Sequence, residues 1–492
     1  MMVYATSFAE VMMGTCMLIN CKSARCILLS TLAFAWAHPV AAQKFSLYGT
    51  GTLWDSFENP SQKSFELDNS RQFASNFFFP NSGVNASFSG PGKAALKNSI
   101  LYDNGLSYTP LDVDSRKFNR FNVSTNTYLL MFRLLKTVKY QRELGFSWQT
   151  RAETQGKLHN QALIVFKTRT DTSENGVIQY MDRKGKDQLS ATNIEAQSYH
   201  QIGFTYKEQY NKMFSYGVKV SYLSGIAQNS IKVSSVVLIP RTNTFNIDGD
   251  LKSSYNYHDI DRDYLNPGFK NPGMSVSLSG NFKLKNGLYV LTNLKDIGFI
   301  RWGKKSYRND GSIVIDPLGD SNDQLNYIQN SLVQQRYTTL INGKAEALVN
   351  KEIGAFKPSI LISKSLFNHS GDIVLMNSYR YKVLNLSVSG AYNLNEYFQV
   401  GGQVMLKSPN VEFFIGSDNI LQSYHSTVLL TQNEESRKEN FNEGIAGASA
   451  YIGFALKFGR VVSYPQNENY IPGINHRMPG TGILRKLFGN RD

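Results

Sequence analysis

The stretch Met274–Leu284, MSVSLSGNFKL, alternates without a slip. Met274, Val276, Leu278, Gly280, Phe282 and Leu284 share one face, and Ser275, Ser277, Ser279, Asn281 and Lys283 share the other. Successive side chains of a strand point to opposite sides, so this is a strand with one greasy and one wet face. The same reading holds for Leu384–Tyr392 (LNLSVSGAY), Phe398–Leu406, Ile452–Phe458, Phe214–Tyr222 and Leu144–Trp148. The four longest of these segments run about 9–11 residues, enough to cross a bilayer at the tilt of a barrel strand. A soluble sandwich also alternates, but its strands average about 5–6 residues and its wet face is richer in Glu, Lys and Thr. Here the wet face is Ser, Asn, Gln, Gly and Lys, which suits a crowded, hydrated interior behind a lipid-facing wall.

Further strands are expected at Phe121–Leu134, Ala162–Lys167, Tyr199–Lys207, Ile231–Ile239 and Gly287–Ile297. Others fall at Tyr337–Leu348, Ala355–Ser363, Asp372–Tyr381 and Asn410–Ile415. The total is about 14–16, within the range of closed transmembrane barrels. Closure leaves no unpaired edge in lipid, which is why strands this polar can span at all. The fold class is therefore all-β: a transmembrane antiparallel barrel of about 14 strands.

Composition agrees. The 492 residues are 41% apolar and 18% charged, with 27 Tyr, 30 Phe and 4 Trp, and a mean hydropathy of −0.31. That is too polar for a bundle of membrane helices and too aromatic for a disordered chain. The three cysteines, Cys16, Cys21 and Cys26, all precede an apolar run, Cys26–Ala37. With Lys22 and Arg25 before that run and Val40-Ala41-Ala42 after it, residues 1–42 read as a signal peptide cleaved after Ala42. The mature chain would then hold no cysteine, excluding disulfides, thiol catalysis and thiolate metal sites. The formal charge is +14. Its lysines and arginines are scattered, so a solvated surface and no nucleic-acid partner are expected, with attraction to phosphate-bearing lipid headgroups as the alternative reading.

Three stretches depart from the barrel pattern. Residues 43–118 mix short apolar runs with turns such as Asn59-Pro60. Residues 316–335 suit a short loop helix. Residues 461–492 form a tail containing Pro and Gly. Chemistry-bearing motifs are sparse. Asp259, Asp261 and Asp263 lack the Gly and Glu of a calcium loop, Tyr264 and Lys270 standing in those places. There is no H-x-x-x-H pair, no G-x-S-x-G elbow and no phosphate-cradling loop. No cofactor, metal or enzyme activity is expected.

Three segments carry a family resemblance. Leu53-Trp54-Asp55-Ser56-Phe57-Glu58-Asn59-Pro60 follows the signal. Asn266-Pro267-Gly268 precedes an alternating strand. Asp296-Ile297-Gly298-Phe299-Ile300-Arg301-Trp302 closes the next one. Together they resemble an uncharacterised family of Bacteroidota outer-membrane barrels, distantly similar to FadL-type long-chain fatty acid transporters. The likeness covers about residues 44–460. It implies an N-terminal hatch, folded into the lumen, and a first strand region over 43–118, a barrel over 119–460 and a periplasmic tail over 461–492. It also implies passive transport of a hydrophobic or amphiphilic molecule, some through a side opening in the wall, with outer-membrane lipid and lipopolysaccharide as surroundings. Other relatives hold a secreted partner protein instead. Asn59-Pro60 would correspond to the transporters' N-terminal signature, and Phe77, Phe78 and Phe79 with Asn59 and Pro60 are the expected ligand contacts, core packing being the alternative for the three phenylalanines.

Overall fold

Alternation in sequence becomes the two faces of a wall. In the computed structural model, Met274, Leu278 and Phe282 are nearly half exposed, while Ser275, Ser277, Ser279 and Asn281 are buried. Leu386 and Val388 likewise point out, and Ser387 and Ser389 point in. The structure describes residues 45–63, 71–96, 117–137, 142–160, 192–239, 244–253, 267–303, 306–309, 312–315, 333–431 and 447–460. The signal peptide, Ala162–Lys167, the Asp259–Asp263 loop, Asn266, most of 316–335 and the 461–492 tail lie outside them.

Fourteen strands close a ring in which every neighbour pair is antiparallel. In chain order they are β1 (Arg71–Ser75 and Asn81–Ser89), β2 (Phe118–Thr137), β3 (Arg142–His159), β4 (Asn193–Gln209) and β5 (Phe214–Ile239). Then follow β6 (Pro272–Lys283), β7 (Leu288–Trp302), β8 (Lys344–Lys351), β9 (Phe356–Ser365) and β10 (Gly371–Tyr381). The last are β11 (Leu384–Asn393), β12 (Tyr397–Lys407), β13 (Val411–Ser417) and β14 (Gly447–Arg460). Both halves of β1 pair with β14 on one side and β2 on the other, which seals the cylinder.

One end of the cylinder carries only short turns, and the other carries the long connections. The walls differ in height. Strands β2–β5 run 20, 18, 17 and 26 residues, longer than a bilayer requires. Their far ends stand above the rim, where water bathes both faces and apolar alternation lapses, as in Asn122-Val123-Ser124-Thr125-Asn126. The upper half of β5 pairs with Thr244–Ser253, which in turn pairs with Tyr307–Asn309 and Ser312–Ile315. An aromatic girdle marks the short-turn rim. Phe214 stacks on Phe282 at 4.7 Å and Phe356 meets Tyr379 at 5.0 Å, as an interfacial belt requires.

Residues 45–63 are not part of the wall. They lie inside it as a 3-10 turn (Phe45–Leu47) and a short helix α1 (Leu53–Glu58), all buried. By contrast, 71–89 builds β1, within the stretch whose sequence breaks the barrel pattern. Its alternation is cut by the irregular segment 76–80, which leaves halves of 5 and 9 residues. A second helix, α2 (Ile420–Thr431), follows β13 and was not anticipated.

Candidate functional site

The hatch is seated by both grease and charge. Thr52 caps α1 by accepting from the Asp55 N–H at 3.2 Å. Asp55 accepts in turn from the Gly51 N–H at 3.0 Å and the Asn59 side chain at 2.7 Å. Trp54 meets Tyr128 edge to face at 4.6 Å and lies against Phe414. Leu47, Leu53, Trp54 and Phe57 join Tyr128, Met131, Met405, Phe414 and Ala455 in one core cluster. Phe45 anchors a second with Leu291, Leu348, Leu361 and Val374. Burying each such hatch side chain contributes about 1.5–3 kcal/mol.

These inward apolar residues explain the runs that break alternation, Ile360-Leu361-Ile362 and Ile373-Val374-Leu375-Met376. There the wall faces lipid outside and the hatch inside. Glycines shape the seat as well. A Cβ on Gly217 would run into the backbone of Pro60 and Ser61, and one on Gly145 would lie 2.8 Å from the Phe57 ring.

A buried charge cluster ties α1 to the opposite wall. Glu58 pairs with Lys295 and, at 3.3 Å, with Arg151, and accepts from the Tyr128 hydroxyl at 2.8 Å. Arg151 also pairs with Asp296, which accepts from Gln201 at 2.8 Å. A bulge in β7 makes this possible. Ser277 stands opposite both Lys295 and Asp296, since pairing slips between Val276 and Leu278. Both consecutive side chains therefore turn inward, while Leu294 and Ile297 on either side point outward. Asp296 holds a left-handed φ of 52°, a strained conformation retained where the surroundings fix it. Burial pushes the Glu58 carboxyl up, but Lys295, Arg151 and Lys219 outweigh it and hold it well below the usual carboxylate range.

Further ties are neutral or mixed. The Ser61 N–H donates to Ser279 Oγ at 2.6 Å. Asn293 donates to the Glu58 carbonyl, to Asn59 Oδ1 and to Glu346. Glu412 accepts from the Leu53 N–H at 2.9 Å while paired with Lys457 at 2.5 Å.

Directly outside α1, the wall is interrupted. Between the halves of β1, residues 76–80 leave the ladder, facing Leu129–Met131 of β2 and Gly453–Ala455 of β14. Phe77 and Phe78 take left-handed φ values of 44° and 62°. Asn76 fills the gap. Its Oδ1 accepts from the Met131 N–H at 2.7 Å, and its Nδ2 donates to the carbonyls of Phe79, Tyr128 and Leu129. Asn81 Oδ1 accepts from the Phe454 N–H at 2.8 Å. Ala74, Tyr128, Met131 and Ala455 border the break and belong to the cluster that holds Trp54 and Phe57. The hatch helix thus backs the break from the lumen side.

The structure separates the sequence-expected residues. Trp54, Asp55, Asn59 and Pro60 sit in the hatch and its seat. Phe77, Phe78 and Phe79 form an aromatic lip on the outer wall, Phe77 against Phe458 and Phe79 against Phe454. Gly298, Phe299, Arg301 and Trp302 lie farther up β7. Trp302 is fully buried with Leu223, Ile300 and Ile341, its Nε1 donating to Thr339 at 2.8 Å. Phe299 and Arg301 point outward. Pro267 and Gly268 lead into β6, and the Gly268 N–H donates to Ser224 at 2.9 Å. Sequence reasoning missed Glu58, Arg151, Lys295 and Asp296. The signal was a double charge, Lys295-Asp296, inside an alternating strand.

A family model described as "Family of unknown function (DUF5723)" matches residues 69–418. No curated protein matches the chain. Similar solved structures include a deletion mutant of the TodX monoaromatic hydrocarbon channel at 9% identity, covering 82% of this chain and 93% of that one, TM-score 0.42. Others are the Pseudomonas putida toluene transporter TodX (8% identity, 83% and 93% covered, TM-score 0.37) and a Pseudomonas aeruginosa FadL homologue (10%, 86% and 94%, 0.37).

Proposed function

The chain belongs to the DUF5723 family of unknown function, and from the geometry of its lumen we propose that it is an outer-membrane barrel passing a hydrophobic or amphiphilic small molecule by passive, hatch-gated transport. The observation that carries this reading is the helix α1 seated directly behind a break in the wall. A solute bound at the long-loop end needs the hatch to shift before it can leave. The same shift uncovers the inner side of the 76–80 break, whose outer lip is Phe77, Phe78 and Phe79. An apolar solute then exits sideways into lipid instead of crossing water, and each buried CH₂ contributes about 0.8 kcal/mol along that route. The ties that hold the hatch are apolar contacts, hydrogen bonds and ion pairs, which exchange partners without breaking covalent structure.

The test uses liposomes carrying the full chain with Cys16, Cys21 and Cys26 replaced by serine. Uptake of a fatty acid or an aromatic hydrocarbon is expected above that of empty liposomes. Ser61→Cys with Ser279→Cys then bridges hatch to wall. Uptake should stop on oxidation and return on reduction. No uptake by the unbridged protein, or uptake indifferent to the bridge, would end the proposal.

A further inference from the structure

A small cleft opens at the short-turn end, between the first turn of the hatch and strands β9–β12. Its charged lining is Lys357, Arg380 and Lys407 against a single acid, Glu352. Register places the cations on one inner face. Lys357 stands opposite Ser378, two residues from Arg380. Arg380 stands opposite Asn385, and Asn385 opposite Met405, two residues from Lys407. Neighbouring strands lie about 4.8 Å apart, so the three side chains converge on one small volume.

Lys357 donates to the Gly49 carbonyl at 2.6 Å, and Lys407 donates to the Thr50 carbonyl. Glu352 is 3.8 Å from Lys357 and its side chain is 60% exposed, so it screens little. Among the described residues the Arg380 guanidinium meets no acceptor. The Asn385 Nδ2 is buried without one.

Convergent cations, a vacant amide donor and a planar guanidinium suit an oxyanion, which accepts charge-assisted and forked hydrogen bonds. The buried side chains of Met376 and Met405 line the same cleft and adapt to an apolar tail. We infer that this cleft binds a carboxylate or phosphate group, held by Lys357, Arg380 and Lys407 at the seam between hatch and wall. The group arrives on a single-chain amphiphile or as the free ion. The inference does not rest on transport, since binding is read without it.

Isothermal titration of the full chain in non-ionic detergent tests it, with octanoate, octanol and inorganic phosphate as probes. Heat is expected from octanoate, from phosphate or from both, and none from octanol. Octanoate alone identifies the amphiphile as the source, and phosphate binding equally well identifies the headgroup alone. Arg380→Gln, at an exposed position, should weaken binding about 10-fold while leaving the heat-resistant barrel band on a gel. Lys232→Gln, exposed on the upper half of β5 at the other end of the barrel, should leave binding unchanged. Binding of octanol as strong as that of octanoate, an Arg380→Gln variant that binds normally, or no heat from any probe would each overturn the assignment.

Discussion

Glu58 is the residue on which the hatch turns. Its carboxylate meets Lys295 and Arg151 inside the barrel, where both sides of the pair are nearly dry. Removing one partner of a buried pair costs about 3–5 kcal/mol, because the other charge stays uncompensated. Asp296 continues to face Arg151, so Glu58→Gln is expected near the lower figure, a roughly 100-fold rise in hatch opening. Ser56→Cys in the cysteine-free background reports it as a faster rate of thiol labelling. Acid should act through the same group. A carboxyl held below its ordinary value of 4.5 contributes stability that is present above that value and lost as the pH falls through the lower, folded one. Pepsin cleavage near Leu53–Phe57 should therefore appear only as the pH drops below about 4.5. In Glu58→Gln it should occur already at pH 5 or so, without that step. Equal cleavage of the two proteins across the range would remove Glu58 from this role. The sequence hid the residue well. Glu58 sits beside the conspicuous Asn59-Pro60, but its partners come from strands 93 and 237 positions away, and nothing local records such distances.

At the scale of elements, each wall strand was legible where it separates lipid from water, because that boundary imposes a period of two. Pro272–Lys283 and Leu384–Asn393 match their alternating stretches nearly end to end. Legibility failed where a strand meets anything else. The hatch calls for an apolar Leu361 on the otherwise polar inner face of Phe356–Ser365, and the upper β2 is polar on both faces. The defect at 76–80 splits β1 into halves of 5 and 9 residues, so the sequence does not show it as one strand. That defect is held by one side chain, and Asn76→Leu keeps its branched shape, with some added bulk, while removing that side chain's hydrogen bonds. The orphaned Met131 N–H and its neighbours would cost about 1–3 kcal/mol each if left buried. The expected result is faster proteolysis at Phe77–Phe79 with the rest of the barrel intact, and faster solute uptake if the break is the exit. Slower uptake would place the exit elsewhere. The seat offers a complementary test. Gly217→Val puts atoms where the Pro60 backbone lies, so residues 59–61 must lift. Proteolysis of the hatch should rise while β5 keeps its pairing.

For the whole molecule, the decisive fact is that the ring closes without the hatch. No ladder of the fourteen-strand wall includes residues 45–63, so deleting them should leave a folded barrel that still resists detergent until heated. What changes is the lumen. Deletion strips out Trp54 and Phe57 together with two carboxylates, Asp55 and Glu58, and uncovers Arg151, Lys219 and Lys295. Water fills the vacated space, since the inner wall is lined by Ser, Asn and Gln. The intact protein should be silent in a planar bilayer, and the deletion variant should conduct in discrete steps. Its uncovered cations should favour anions, because fixed charge in a narrow, low-dielectric passage raises the local concentration of counter-ions. A reversal potential shifted toward chloride in a salt gradient reports that preference, and raising the salt should shrink it as screening sets in. A deletion variant that folds yet stays silent would mean that the wall, not the hatch, closes the passage. The gate would then have to be sought among the packed residues around Trp302 at the long-loop end.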